Sequence, residues 1–284
     1  MVSSVQMIAN SLPRCKYLES FQDSTASALM NVIDANMIEK SLCFPRLLGG
    51  EIHGPNPLWF TTGPALPTNN GVVRAFFAPQ EIDSGIESVL EPFRARSLPL
   101  TWWVGPTSTP TDLGRHLQMR GFTLSRDMTG MAMDLAELHP PASSAFELTV
   151  ERVRDRQTLA RWYDVLRACF SVPFSRIFFD ALAATSLNTD EGWIHYVGRV
   201  NGEIVAISSL ILGAGVAGFY NLAILPRVRR RGIGAMMIVK TFYEARDVGY
   251  QVGTLQVTRT DVLRMYRRLG FEAYCKIGVY RYSV

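Results

Sequence analysis

One segment of the sequence combines residue types that suit an anionic ligand. From Leu225 to Ala235 it contains the end of an apolar stretch, a proline, four arginines and then Gly232-Ile233-Gly234. Glycines allow close backbone approach, and the amide groups in the first turn of a following helix point outward. The helix dipole and the arginines both favour phosphate oxygens. The segment predicts a cradle for a pyrophosphate, although a basic surface loop before an ordinary helix has the same composition.

The spacing of this segment resembles a known family. Arg229-x-x-Gly232-x-Gly234 is similar to the coenzyme A pyrophosphate loop of the GNAT N-acetyltransferases, whose form is Q/R-x-x-G-x-G/A. Met265–Phe271 resembles the second landmark of that family, a tyrosine-containing helix that ends in Leu-Gly-Phe. The resemblance covers about residues 146–284. It implies an acyl-CoA-dependent N-acetyltransferase that uses acetyl-CoA as cosubstrate, needs no metal, and acetylates a primary amine of a small molecule.

The resemblance also implies roles for single residues. The strand before the loop would pair its backbone with the pantetheine arm through Leu222, Ala223 and Ile224. The backbone amides that would hold the pyrophosphate belong to Arg229, Arg230, Arg231, Gly232, Ile233, Gly234 and Ala235. Tyr266 matches the tyrosine that contacts the coenzyme thiol and acts as general acid, and a phenol with a pKa of about 10 suits that role. The alternative explanation is an ordinary core tyrosine that packs under Leu269 and Phe271. Arg259 stands where many members have Asn, which suggests that it contacts the coenzyme in a different way.

A general base is harder to assign. Many family members use a Glu on the central strands, but residues 216–222 contain no carboxylate. The candidates are Tyr220, Asn221 orienting a water, His195 and Glu191, and each has an ordinary structural explanation. The choice among them stays open. The missing carboxylate suggests an alternative function, namely a non-catalytic acyl-CoA-binding or sensing protein on the same fold.

Other nucleotide and nucleic-acid classes fit less well. The strand before the loop belongs to a predicted hairpin and not to a βαβ unit, which argues against a dinucleotide fold. No Lys-Ser/Thr follows Gly234, so the loop is not a P-loop. No aromatic residues interleave with Arg227–Arg231, and the net charge is only +4, so we expect no nucleic-acid partner.

Composition places the chain among globular proteins. Of its 284 residues 48% are hydrophobic and 19% charged, which is enough apolar material for a sizeable core. Residues 1–145 carry 10 basic and 13 acidic side chains, whereas residues 146–284 carry 19 and 12. The second half is therefore the expected place for an anionic ligand. Four cysteines without a C-x-x-C pair indicate a reduced, cytoplasmic protein.

No membrane partner is expected. The first residues, Met1 to Gln6, lack a signal-peptide pattern. Residues 204–226 carry no charge and are long enough to span a bilayer, but glycines interrupt them and β-branched residues dominate their first part. Two buried strands of a hairpin explain that stretch better. The sequence leaves the oligomeric state open.

The second half alternates between strand and helix patterns, which predicts an α+β fold around one mixed, mostly antiparallel sheet flanked by helices. Strands are predicted at 146–153, 193–200, 203–225 as a hairpin, 253–258 and 271–284 as two strands. Helices are predicted at 155–170, 174–184, 235–248 and 261–269. The resemblance implies that the acceptor lies over the first two helices and the central strands. This region offers Phe170, Pro173, Phe174, Phe178, Phe179, Trp193 and Tyr196. Most of them fit an ordinary core, and any that line the pocket would make the acceptor partly apolar.

The first half has a similar, weaker rhythm, so we expect two tandem copies of the fold. Helices are predicted at 21–35, 82–96 and 112–120, and strands at 58–61, 72–77, 100–104 and from 122. Residues 78–85, where a pyrophosphate loop would stand, have two carboxylates and no arginine. Phosphate would be repelled there. We therefore expect residues 1–138 to be a degenerate GNAT-like or helper domain without a coenzyme site, 139–145 a linker, and 146–284 the catalytic domain.

Overall fold

The computed structural model describes residues 21–62, 70–139, 147–171, 174–187 and 193–283. These residues form two compact units. Unit 1 consists of residues 26–130 and 274–283, and unit 2 of residues 131–273 together with 21–25. Each unit is an α+β arrangement of helices around a sheet.

The units do not divide at the predicted boundary. The last strand of the chain pairs antiparallel with a strand of the first half, from Gly278 opposite Val104 to Tyr282 opposite Leu100. Backbone pairing therefore makes the C-terminal strand part of unit 1, and the predicted domains 1–138 and 146–284 are corrected accordingly. The predicted linker 139–145 lies, after His139, outside the described residues.

Unit 1 is built from three helices and the strands that they cover. Its helices are α1 (Ala26–Leu48), α2 (Ile82–Ala95) and α3 (Leu113–Gln118). Its strands are β1 (Glu51–His53), β2 (Leu58–Thr61), β3 (Asn70–Arg74) and β4 (Leu100–Val104), and then β5 (Thr123–Asp134), which is divided between the units. Helix α2 buries Ile82, Ile86, Val89, Leu90 and Phe93, an i, i+4, i+7 spacing that gives it one apolar face.

A carboxyl group is buried inside unit 1. Asp34 of α1 is 1% exposed, and Thr107 donates a hydrogen bond from Oγ1 to its Oδ2. Among the described residues Asp34 Oδ1 has no hydrogen-bond partner. Burial raises the pKa of Asp34 to about 6, against the smaller opposing effects of Thr107 and Arg74.

Unit 2 contains the elements predicted to carry the chemistry. Its strands are β6 (Leu148–Arg152), β7 (Trp193–Val200), β8 (Glu203–Gly213), β9 (Val216–Ile224) and β10 (Val252–Val257). Its helices are α4 (Arg156–Phe170), α5 (Arg176–Ser186), α6 (Ile233–Asp247) and α7 (Thr260–Arg268).

The C-terminal strand β11 (Glu272–Tyr282) is one continuous strand and not the two that we predicted.

The sheet of unit 2 explains why the uncharged stretch 204–226 is not a membrane helix. β6, β7, β8 and β9 pair antiparallel in chain order, and β10 then adds parallel to β9. Strands β8 and β9 are covered by helices on both sides, so most residues on both of their faces are apolar. No helix among the described residues is long and apolar enough to cross a bilayer.

The helices cover the two faces of this sheet. Helix α6 buries Met237, Ile238 and Phe242 in one large apolar core. On the other face, Trp162 of α4 packs on His195 of β7 with ring centroids 4.3 Å apart. The start of α4 follows the prediction, because the Asp155 carboxylate accepts a hydrogen bond from the Thr158 amide at 2.7 Å.

Helix α1 departs most from its predicted bounds. It begins at Ala26 and runs to Leu48, with Pro45 inside it, whereas the sequence pattern predicted 21–35. Its buried residues continue along one face through Met37, Ile38 and Leu42. Tertiary packing therefore extends the helix beyond its local sequence signals.

Candidate functional site

The parallel strands β9 and β10 stay paired over a short distance only. Their register covers Ala217, Gly218 and Phe219 of β9, the last of which lies opposite Leu255. Strand β9 continues to Ile224 while pairing only with β8. The β10 side of residues 220–224 is therefore a strand edge, which an extended ligand can pair with.

A bulge lies on β9 just beyond that last pair. Tyr220 is opposite Ser209 and Ala223 is opposite Ile207, so β9 has one more residue than β8 over this distance. Asn221 has a φ of 56°, the left-handed conformation that Asn tolerates better than most residues. The extra residue changes which side chains face α6, so that Leu222 and Ile224 both lie near Gly234 of that helix.

The loop after β9 has the geometry of an anion cradle. Residues Pro226–Val228 form a short turn, Arg230 has a φ of 62°, and Gly232 has a φ of 82° immediately before α6 begins at Ile233. No side chain caps the helix, and the first amides of a helix have no intrahelical acceptor. These amides and the helix dipole can bind a phosphate group. The predicted positions Arg229, Arg230, Arg231, Gly232, Ile233, Gly234 and Ala235 all belong to this loop and the first helical turn.

Gly234 is where three of the predicted elements come together. A β-carbon at this position would lie 3.3 Å from Ile224 Cδ1, 3.5 Å from Met265 Sδ and 3.8 Å from Leu222 Cδ2. The strand end, the first turn of α6 and helix α7 therefore form one contiguous site.

The arginines of this region differ in their partners. Arg227 pairs with Glu203, and Arg259 forms two hydrogen bonds to Asp261, at 2.9 and 2.6 Å. Arg229 donates from Nε to the Ile224 carbonyl at 2.8 Å, which fixes the loop against the end of β9. The pKa of Asp261 is lowered mainly by its hydrogen bond from Arg259, and the positive charge of Arg230 lowers it slightly further. The prediction that Arg259 contacts the coenzyme stays a prediction.

Tyr266 of α7 lies in the apolar core of unit 2, with its ring edge-on to Phe271 at a centroid distance of 5.9 Å. The side chain is 8% exposed, and burial raises the pKa of its hydroxyl to about 12. The phenol is therefore neutral over the whole physiological range and can only donate a proton.

The base candidates occupy different environments. His195 is fully buried, and desolvation lowers its pKa to about 3, so it is neutral. Its Nδ1 lies 2.8 Å from Ser209 Oγ. The same Ser209 oxygen accepts a hydrogen bond from Asn221 Nδ2 at 3.1 Å. Tyr220 is half-buried on the same strand as Asn221, and Glu191 lies outside the described residues.

The aromatic residues predicted to line an acceptor pocket divide into two groups. Tyr163 of α4 packs against Phe174, Phe178 and Phe179, with ring centroids 5.7 to 5.9 Å apart. Phe170 and Phe174 are exposed, by 51% and 55%. Tyr196 belongs elsewhere, because its hydroxyl donates to Glu244 of α6 at 2.8 Å, which puts it on the opposite face of the sheet. Pro173 lies outside the described residues.

In unit 1 the corresponding edge is already paired. The amide of Thr109 donates to the Ala75 carbonyl at 3.0 Å, and the amide of Phe77 donates to the Thr109 carbonyl at 3.1 Å. The ring of Phe77 also fills the space in front of Gly85 on α2. The chain itself therefore occupies the edge beyond the short parallel pair β3–β4, which includes Gly71 opposite Thr101.

Two features of the site were missed by the sequence analysis. Ser209 gave no signal, because a serine in a buried strand has no distinctive pattern. Cys169, at the end of α4, donates to the Ile224 carbonyl at 3.5 Å and so marks where α4 meets the loop. An asparagine inside an otherwise apolar strand was a usable signal for the bulge at Asn221.

Comparison with known proteins agrees with the fold of the chain. Residues 159–271 match the model of the acetyltransferase (GNAT) family. A GCN5-related N-acetyltransferase from Kribbella flavida superposes with a TM-score of 0.68 at 18% identity, covering 87% of this chain and 95% of that chain. A GCN5-related N-acetyltransferase from Sphaerobacter thermophilus gives 0.57 at 19% identity, with coverages of 75% and 73%.

A tandem GNAT protein from the clavulanic acid biosynthesis pathway has a TM-score of 0.52 at 16% identity, covering 70% of this chain and 69% of that chain. At these identities the structural similarity supports the fold. No curated protein matches the chain.

Proposed function

We propose, for a chain whose residues 159–271 belong to the acetyltransferase (GNAT) family, that unit 2 transfers the acetyl group of acetyl-CoA to a primary amine of a small, partly apolar acceptor. The observation that carries this proposal is the packing around Gly234. There the free edge of β9, the uncapped start of α6 and the tyrosine helix α7 come together.

The coenzyme would bind along this site in two parts. Among the described residues no strand pairs with the β10 side of β9 at Leu222–Ile224, and this edge suits an extended pantetheine arm, which offers amide groups for backbone hydrogen bonds. The Ile224 carbonyl already accepts a hydrogen bond from Arg229, so the arm would pair with the other backbone groups of the edge. The loop amides from Arg229 to Ala235 suit the pyrophosphate, and the exposed Arg229 and Arg230 add positive charge. Since Arg227 pairs with Glu203, we expect it to contribute less.

The chemistry requires one proton donor near the thiol. When the acceptor amine forms the new C–N bond, the C–S bond of the thioester breaks and a thiolate leaves. The neutral Tyr266 hydroxyl would donate a proton to it, because burial keeps this phenol protonated. The tyrosinate then takes up a proton from solvent. The nitrogen of the acceptor releases its surplus proton to solvent.

The acceptor would enter beside α4 and α5. The exposed rings of Phe170 and Phe174 and the exposed side chain of Ile177 provide apolar surface there. In helix α5 the charged groups Arg176 and Asp180 are paired with each other at 2.7 Å. These features support an acceptor with an apolar part rather than a highly cationic one.

Unit 1 would be a degenerate copy of the same fold that binds no coenzyme. Glu81 lies just before α2 and Asp83 in its first turn, and the strand edge is taken by Thr109. The arrangement resembles a tandem protein with one working site.

Titration of the purified chain with acetyl-CoA, followed by thiol release in the presence of amines, tests the proposal. Binding with thiol release from acetyl-CoA in the presence of an amine is the expected result. Binding without transfer to any amine would instead support the alternative of a non-catalytic acyl-CoA sensor.

A further inference from the structure

A hydrogen-bonded chain of three side chains lies on the α4 face of the sheet, and it ends on β9 beside the strand edge proposed for pantetheine. Asn221 Nδ2 donates to Ser209 Oγ at 3.1 Å, and Ser209 Oγ lies 2.8 Å from His195 Nδ1. These residues come from three neighbouring strands, β9, β8 and β7. The bulge at Asn221 is what directs its side chain toward this face.

The direction of each hydrogen bond follows from the donor and acceptor atoms within reach. Ser209 is fully buried, and a buried hydroxyl must donate its hydrogen. Among the described groups, His195 Nδ1 is the acceptor in reach once Asn221 Nδ2 has donated to the Ser209 oxygen. The ring hydrogen of the neutral His195 is therefore on Nε2, and Nε2 has no partner in the described part of the chain.

This arrangement is costly for the fold. A buried ring nitrogen without a partner lowers stability, and apolar residues would fill the same space without that cost. The ring is nevertheless held firmly, because Trp162 packs against it and is itself fixed by a hydrogen bond to the Ser208 carbonyl at 3.1 Å. The chain of side chains is rigid at its buried end and reaches solvent only at Asn221, which is half-buried.

At that exposed end one polar atom is left over. Asn221 Nδ2 is held by Ser209, whereas none of the described residues bonds to the amide oxygen Oδ1 of this half-buried side chain. Asn221 lies two residues beyond Phe219, the last β9 residue paired with β10, and one residue before Leu222. Its Oδ1 is thus an acceptor placed where the proposed strand edge for pantetheine begins.

We propose that Ser209 and His195 are positioning residues that hold the Asn221 amide so that Oδ1 accepts a hydrogen bond from the N–H of the attacking amine. This inference rests on the proposed function of unit 2. The amide orients the nitrogen lone pair and takes no proton. The proton released after C–N bond formation goes to solvent, and the departing thiolate takes its proton from Tyr266. An acceptor must therefore present an N–H, which the neutral amide oxygen recognises.

The substitutions Asn221→Gly and Ser209→Ala test this role. Glycine tolerates the positive φ of Asn221 and so removes the amide while keeping the bulge. Ser208→Ala is the matched control, since Ser208 is equally buried on the same strand but its hydroxyl lies 3.2 Å from Thr241 Oγ1 on the α6 side. Transfer from acetyl-CoA to 2-phenylethylamine and to hydroxylamine is measured by thiol release, and acetyl-CoA affinity by calorimetry.

We expect Asn221→Gly and Ser209→Ala each to lower kcat/KM for the amines about 10-fold, the size of one lost hydrogen bond. The Kd for acetyl-CoA should stay within about twofold of wild type in both variants, and Ser208→Ala should be kinetically normal. The double variant should be no slower than Asn221→Gly, because Ser209 acts through Asn221. Ser209→Thr, which keeps the hydroxyl, should recover activity.

Three results would overturn the inference while leaving coenzyme binding intact. These are equal kinetics in Ser209→Ala and Ser208→Ala, normal turnover in Asn221→Gly, or additive losses in the double variant. A wild-type chain that binds acetyl-CoA but accelerates transfer to neither amine would overturn it as well. A wild-type chain that does not bind acetyl-CoA would instead refute the proposed function on which it rests.

Discussion

Ile224 Cδ1 lies 3.3 Å from the position that a β-carbon on Gly234 would take. This close approach joins the end of β9 to the first turn of α6, and it depends on the bulge at Asn221, which turns Ile224 toward the helix. A methyl group at Gly234 needs only a small movement of flexible side chains. A larger side chain would have to displace Ile224, Met265 or Leu222, and a charged one would put its charge beside the first turn of α6.

Replacing Tyr266 with Phe should separate catalysis from binding. We expect turnover to fall about 10²-fold, as is usual for a lost general acid, while the Kd for acetyl-CoA changes little because the ring still packs on Phe271. Steady-state kinetics and calorimetry on the same preparation measure both quantities. Normal turnover in this variant would remove Tyr266 from the mechanism, and loss of coenzyme binding would assign it to positioning instead.

The pH dependence of turnover provides a separate check on Tyr266. Because its pKa is about 12, the phenol does not ionise below that value, and activity should show no decline from this group up to about pH 10. A decline near pH 10 that is present in the wild type and absent in Tyr266→Phe would contradict the buried, neutral phenol.

Asp34→Asn should stabilise unit 1 at neutral and alkaline pH. The folded pKa of about 6 lies above the ordinary value of 3.8, so the folded chain binds the proton more tightly than the unfolded chain. The stability of the wild type is therefore highest below about pH 4 and falls as the pH rises to 6. We expect the variant to be more stable than wild type by about 1–3 kcal/mol at pH 8 and equal to it near pH 4.

Urea unfolding at several pH values measures this difference, with the exposed Asp112→Asn as control. A variant that is less stable than wild type at pH 8 would mean that the Thr107 hydrogen bond outweighs the cost of burying the charge.

Unit 1 should take up no coenzyme. Thr109 pairs with Ala75 and Phe77 along the edge that is open in unit 2, so calorimetry should give one acetyl-CoA per chain. The substitution Gly234→Glu should then weaken this one site at least about 10-fold, and no second site of ordinary affinity should be seen. Residual binding of a second equivalent in that variant would show that unit 1 retains a site.

Much of unit 2 could be predicted from its sequence, because local signals there agree with the tertiary structure. Asp155 caps α4, and the glycines at 232, 249 and 270 all have the positive φ that a helix boundary favours. The loop and tyrosine motifs predicted which residues would form a coenzyme site, and that assignment stays a prediction. The packing at Gly234 that brings the two motifs together was visible only in the structure.

What could not be predicted depends on pairing between residues distant in sequence. The C-terminal strand has no local feature that selects β4 as its partner, so the two units were divided at the wrong place. The length of α1 and the hydrogen bonds of Ser209 also depend on packing rather than on pattern.

The most direct test of the central claim is acetyl-CoA binding to wild type, Gly234→Ala and Gly234→Glu, measured by calorimetry at one salt concentration. We predict one site in the wild type and nearly unchanged affinity in Gly234→Ala. In Gly234→Glu the Kd should be at least about 10-fold weaker, because the carboxylate would repel the pyrophosphate. Circular dichroism of all three should show the same fold. Equal affinity in Gly234→Glu and wild type would contradict the assignment of the coenzyme site to this loop.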